Sequence, residues 1–234
     1  MNEAENVQLF RESSKLSLEN AEQWAKDAKL LLDTSSLKHA AVLMQFAIEE
    51  IAKFIVCWHV AEGIMPFENN RLIKEVFRSH KIKNHIFSGF MLNLTQGSPL
   101  KEGFRVEDYD RDVKFIEKST LFKNMAFYSD KVRQICTHVD VDWKKGRVLT
   151  LEVASKYAAE SIMNQENAAE YLRRLENTIG YMKKILKGGI SEQSKNNLRE
   201  FYKSMPKEAW KTGEIPIEWF EKVSKAKGGE KPNE

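Results

Sequence analysis

The sequence predicts an all-α fold, and three observations carry the prediction. Apolar residues recur at three- and four-residue steps through most of the chain, the spacing of a helix face. Prolines number five in 234 residues, and alternating β-branched runs are scarce. The segment 37–63 is apolar on nearly every side of a helical wheel, which marks a buried helix. An apolar content of 42% suffices for one sizeable core.

The elements follow in order. Residues 3–32 read as a long first helix, with Leu9, Leu16, Ala21, Trp24, Ala28 and Leu31 on its apolar side. Asp33 to Ser36 supply a short turn and an N-cap, so the first two helices are expected to form an antiparallel hairpin. The second helix ends at Gly63 and Pro66. A short helix is expected over 69–77 and another over 80–94. Gln96 to Gly103 is a loop by composition. A long helix is expected within 107–135, a polar connection over 136–147, and a final long helix from Thr150 to Leu186. Its core face is read as Ala154, Ala158, Ile162, Ala169, Leu172, Leu175, Ile179 and Met182. Gly188 and Gly189 break the pattern. Beyond them, short amphipathic helices around Leu198 and Trp219 form a C-terminal appendage over 189–224. The Gly/Lys/Glu-rich end, 225–234, is expected to be a disordered tail.

Several function classes are excluded or disfavoured. The helix over 37–63 carries Glu49, Glu50 and Lys53 at its middle, which argues against a membrane span. The opening Met1-Asn-Glu-Ala-Glu-Asn lacks the pattern of a signal peptide, so a cytoplasmic protein without membrane contact is expected. Cys57 and Cys136 make neither a disulfide framework nor a zinc cluster. There is no phosphate loop, no nucleophile elbow, no His-Glu-x-x-His and no Glu followed by His three residues on. No metal and no cofactor are therefore expected. The net charge of +3 permits nucleic-acid contact without announcing it.

Four polar groups remain. Glu49 and Lys53 stand four apart, the favourable order for a helical ion pair, with Glu50 beside them. They form either a solvated strip or an internal polar network. His80, Lys81 and Lys83 open a helix, where cations oppose the dipole. They point either to an acidic partner, which is Glu49 or Glu50 from within or a phosphate from without, or to a plain solvated basic turn. Asn124 and Tyr128 share one helix face at i,i+4, and with Lys123 they suit phosphate and ribose hydroxyls, or else Tyr128 is a core-edge aromatic. Arg133 and His138 form a short Arg-x(4)-His pattern.

Together, Ala47-Ile-Glu-Glu-Ile-Ala-Lys53, Phe77-Arg-Ser-His-Lys-Ile-Lys83 and Lys123-Asn-Met-Ala-Phe-Tyr-Ser-Asp130 resemble the AbiV family of bacterial abortive-infection proteins, within the HEPN superfamily. The resemblance covers roughly residues 10–185. It implies a HEPN-like up-and-down helical bundle over 1–188 and a tendency to homodimerise. It also implies a cytosolic phage-defence effector that arrests host growth or translation. Many HEPN proteins are metal-independent ribonucleases that use an Arg-x(4–6)-His motif. Its Arg holds the scissile phosphate and its His helps move the ribose 2′-hydroxyl proton. Here Lys123 stands at the Arg place and Tyr128 at the His place. A Lys offers a point charge where Arg offers a fork, and a phenol is a poor base at neutral pH. Arg133 and His138 restore the pattern a turn or two later.

Two readings follow. In the first, Glu49 or Glu50 orients His80 and Lys83, His80 or His138 is the acid/base, and Lys81, Lys83, Lys123 and Asn124 bind RNA. In the second, Glu49, Glu50, Lys53 and His80 are a structural polar network. The chain then acts by contact with a phage-encoded protein or the ribosome, with 190–224 as its arm.

Overall fold

Helix α1 spans Glu3–Asp33 and α2 spans Leu37–Ala61. Only three residues join them, so they lie side by side and antiparallel. The computed structural model describes residues 3–67, 71–80, 82–84, 86–87, 140–142, 147–149 and 165–207. Helix α3 is Arg71–Arg78, α4 is Gln165–Gly188 and α5 is Glu192–Lys203. Between α3 and α4, the described residues of 80–87 are also helical. Helices α1, α2 and α4 touch one another in pairs, and α3 packs on α2. The class is all-α.

One small exception sits in the stretch read as a polar connection. Strands β1 (Asp140–Asp142) and β2 (Arg147–Leu149) pair antiparallel, with Val141 opposite Val148. Each is three residues long, too short to display a two-residue period in sequence.

Helix ends are set by local chemistry. Gly63 sits at φ +61°, and the Gly63 and Ile64 amides donate back to the Val60 and His59 carbonyls at 3.1 and 2.8 Å. That is a Schellman ending. Helix α1 ends the same way, its left-handed position filled by Ser35 at φ +60°. The Ser35 and Ser36 amides reach the Leu32 and Leu31 carbonyls. A Cβ in that conformation costs roughly 1–2 kcal/mol. Ser36 precedes α2 as expected, but its hydroxyl caps no backbone amide. It pairs instead with His39 Nδ1 at 2.9 Å.

The core surrounds α2, which buries residues on nearly every side, from Ala40 to Ala61. Helix α1 meets it through Phe10, Ser14, Leu18, Ala21, Ala25, Ala28 and Leu32. This corrects the expected stripe, because Leu9 and Leu16 face outward, Leu16 half exposed at 51%. Small side chains at 14, 21, 25 and 28 let the two backbones approach closely. A Leu at those steps would hold them apart. Helix α4 contributes Leu172, Leu175, Ile179 and Met182 as expected, with Ala168 buried and Ala169 exposed.

The first part of the expected appendage belongs to this core. Tyr202 and Met205 are buried in it, and Ile190, Leu198 and Phe201 pack against it. The region around Trp219, the tail, and the expected helix within 107–135 lie outside the described residues.

Candidate functional site

The all-apolar character of α2 forces a choice on its two acids, and the structure separates them. Glu49 points toward the 80–87 stretch and is only 4% exposed. Its Oε1 lies 2.6 Å from His80 Nδ1, and its Oε2 accepts from Lys83 Nζ at 2.9 Å. Glu50 lies one residue, or about 100°, further round the helix. Its Oε1 accepts from Lys53 Nζ at 2.5 Å. The expected Glu49–Lys53 pair is thus replaced by Glu50–Lys53 on α2 and by Glu49 bridging to a second helical stretch.

Burial sets the energetics of this arrangement. Lys83 is only 6% exposed, so its ammonium has little water, and among the described residues its one charged hydrogen-bond partner is Glu49. A buried ion left without its partner costs several kcal/mol. His80 is the open end of the network, its side chain 38% exposed. With Nδ1 tied inward, the ring's other nitrogen, Nε2, is the one left for chemistry.

A second bridge lies one turn away. Gln45 Nε2 donates to Asn84 Oδ1 at 2.6 Å, and both residues are buried. Gln45 and Glu49 are four apart on α2, and His80 and Asn84 are four apart on the facing stretch. A four-residue step along one is matched by a four-residue step back along the other. Glu50 Oε2 and Asn84 Nδ2 are buried without a hydrogen-bond partner among the described residues. The stretch itself starts at Ser79, whose Oγ accepts from the Ile82 amide at 3.3 Å. That N-cap fixes where His80 begins to turn.

Glu49, Glu50, Lys53, His80 and Lys83 are therefore gathered at the middle of α2. Lys81, Lys123, Asn124, Tyr128, Arg133 and His138 lie outside the described residues. Gln45 and Asn84 join the site without having been singled out as a pair. The available signal was the matching four-residue spacing on two helices. Among the described residues, no group of His, Cys, Asp and Glu is arranged to hold a metal ion, and no helix is long and apolar enough to cross a membrane.

A different polar joint sits at the C-terminal end of α2. His59 Nδ1 lies 2.6 Å from Tyr202 Oη, both buried. Burial pulls the His59 imidazole down to about 3, so it is neutral, and pushes the Tyr202 phenol up. Around this joint, Lys195 Nζ donates to Glu62 Oε2 at 2.6 Å, and Arg199 Nε donates to the Gly63 carbonyl at 3.1 Å. Cys57, also on α2, is a buried thiol pushed up to about 12 by its apolar surroundings, which makes it an inert core residue.

These two joints divide when the chain is compared with known proteins. Neither a curated protein nor a solved structure matches it. The family model HEPN_AbiV, described as AbiV, matches residues 9–173. That span contains the whole Glu49–His80–Lys83 network, whereas Tyr202 and α5 lie beyond it. With well over half its length matched, and with the all-α fold and the quoted motifs inside the match, the chain belongs to the AbiV family of abortive-infection proteins in the HEPN superfamily.

Proposed function

We propose that this abortive-infection protein arrests its host by metal-independent cleavage of RNA, with His80 as the acid/base and Glu49 as the group that orients it. One observation carries the reading: a buried carboxylate holds Nδ1 of a half-exposed imidazole at 2.6 Å while a buried Lys occupies its other oxygen. Such a carboxylate fixes the tautomer with the proton on Nδ1 and the lone pair on Nε2. Nε2 then takes the proton of a ribose 2′-hydroxyl as that oxygen attacks the neighbouring phosphate, and the 5′-oxygen leaves and is protonated. Lys83 offsets the charge of Glu49 inside the bundle. Lys123 and Arg133 are the proposed phosphate-holding cations and His138 the second acid/base. Homodimerisation, and activation by a phage-encoded protein, belong to this reading as proposals too.

The test is cleavage of cellular RNA by purified protein, with and without EDTA. His80→Gln keeps a hydrogen bond to Glu49 and removes the base. It is expected to lower the rate about 10²–10⁴-fold, with the wild-type rate insensitive to EDTA. Full cleavage by His80→Gln, or loss of cleavage in EDTA, sinks the proposal.

A second reading is favoured by the Gln45–Asn84 bond, which is buried between the two helical stretches. Buried polar networks can select one packing arrangement over its neighbours. On that reading the network sets helix register and the protein acts by contact with another macromolecule. Growth arrest that survives His80→Gln would favour it.

A further inference from the structure

Helix α3 has two unlike faces. Leu72, Ile73 and Val76 are buried against the bundle. Lys74, Phe77 and Arg78 are exposed on the other side, at the three- and four-residue spacing that puts them together. Phe77 is 47% exposed. Arg71 is paired with Glu75 at 3.3 Å. Among the described residues, neither Lys74 nor Arg78 has an acidic partner. Among the described residues, Phe77 is thus an aromatic ring left half open between two unpaired cations. Ser79 alone separates this face from His80.

We propose that the outward face of α3 binds single-stranded RNA, with an unpaired base stacked on Phe77 and flanking phosphates held by Lys74 and Arg78. The proposal rests on the RNA reading of the site and names its substrate class as unpaired rather than duplex strand. Stacking needs a base whose π-face is free, and every base offers one, so this face selects single strands without reading sequence. The charge is complementary to a phosphate backbone. Phe77 and His80 are three residues apart, so at most about 10 Å of extended chain separates them. That is a few nucleotide steps along a strand. A strand anchored on Phe77 is therefore within reach of the open end of the Glu49 network.

The experiment measures anisotropy of a short labelled oligoribonucleotide of mixed sequence, alone and annealed to its complement, with the full chain. The positions are exposed, and substitutions there leave the fold intact. Phe77→Ala is expected to weaken single-strand binding about tenfold, and Phe77→Trp to restore it. Lys74→Gln and Arg78→Gln should each reduce the slope of log affinity against log salt by about 0.7. Binding through Phe77 with no cleavage would leave this face standing while the catalytic reading fell. Equal affinity for duplex, unchanged binding in Phe77→Ala, or no binding by the wild type would overturn it. A concentration-dependent association of the chain that disappears in Phe77→Ala, with RNA ignored, would overturn it as well and assign the face to self-contact.

Discussion

At the middle of α2, Glu49 holds His80 and Lys83. Ten residues later, about three turns along the same helix, His59 holds Tyr202. Both joints bring a distant segment onto α2 through a 2.6 Å bond to an imidazole. They differ in charge and in access. The Glu49 joint contains a formal ion pair, and its imidazole opens to solvent. The His59 joint is sealed at both ends and neutral. A sealed neutral pair costs little to keep and can do nothing but hold. A charged network with one open end costs more to bury, and the open end is where a proton can leave. This contrast, more than the number of polar groups, separates a chemical site from a structural one in this protein.

Removing the acid is expected to have the largest effect. Glu49→Leu leaves the Lys83 ammonium buried without its partner, and is expected to destabilise the fold by about 3–5 kcal/mol in urea unfolding. Combining it with Lys83→Met removes both charges and should recover most of that loss. If Glu49→Leu alone is neutral, Lys83 reaches water and the site is not sealed on that side.

The His59 joint is tested by acid. The unfolded imidazole titrates near 6.5 and the folded one near 3, so between those values the unfolded chain binds a proton that the folded chain refuses. Stability is therefore full above about pH 6.5 and falls as the pH drops toward 3. The loss between pH 7 and pH 5 is expected to be about 2 kcal/mol. Glu170 is held low, at about 2, by Arg173 and Arg174. In the unfolded chain it titrates near 4.5, so most of its effect falls below the chosen window. His59→Phe should abolish the pH 7-to-5 slope, and a slope that persists would assign it to another group. Tyr202→Phe tests the partner, leaving His59 Nδ1 unsatisfied at an expected cost of about 1–2 kcal/mol.

Legibility in the sequence follows the same physical lines. That α2 is buried was readable because no side of its wheel is polar enough to face water. That the cations at His80 and Lys83 could meet an acid on it was readable from their placement against a helix dipole, though an outside phosphate or plain solvent suited them as well. Which acid does so was not, because Glu49 and Glu50 differ only by one helical step, and the choice depends on where 80–87 lies. The His59–Tyr202 bond joins residues 143 apart, and no local pattern announces such a contact. On α1, the expected stripe held Ala21 and Ala28 but also Leu9 and Leu16, whereas close helix approach selected Ser14 and Ala25 in place of the two leucines. Small residues form an interface by what they lack, which hydropathy does not measure.

The smallest expected effect sharpens the comparison most economically. Lys195 and Glu62 pair at 2.6 Å at the rim of the α5 joint, a shorter contact than the 2.9 Å between Lys83 and Glu49. If distance set strength, Lys195→Gln would cost more than any change at Lys83. Burial argues the reverse. Lys195 and Glu62 keep roughly a fifth of their side-chain surface in water, at 18% and 23%, so each charge freed by the substitution is rehydrated. The Glu62 carboxylate also keeps Arg11 at 3.8 Å. Lys195→Gln is expected to cost about 0.2–1 kcal/mol, shrinking further in high salt. A loss as large as that of Glu49→Leu would mean that α5 is held by charge rather than by Tyr202 and Met205, and the two joints would then share one mechanism.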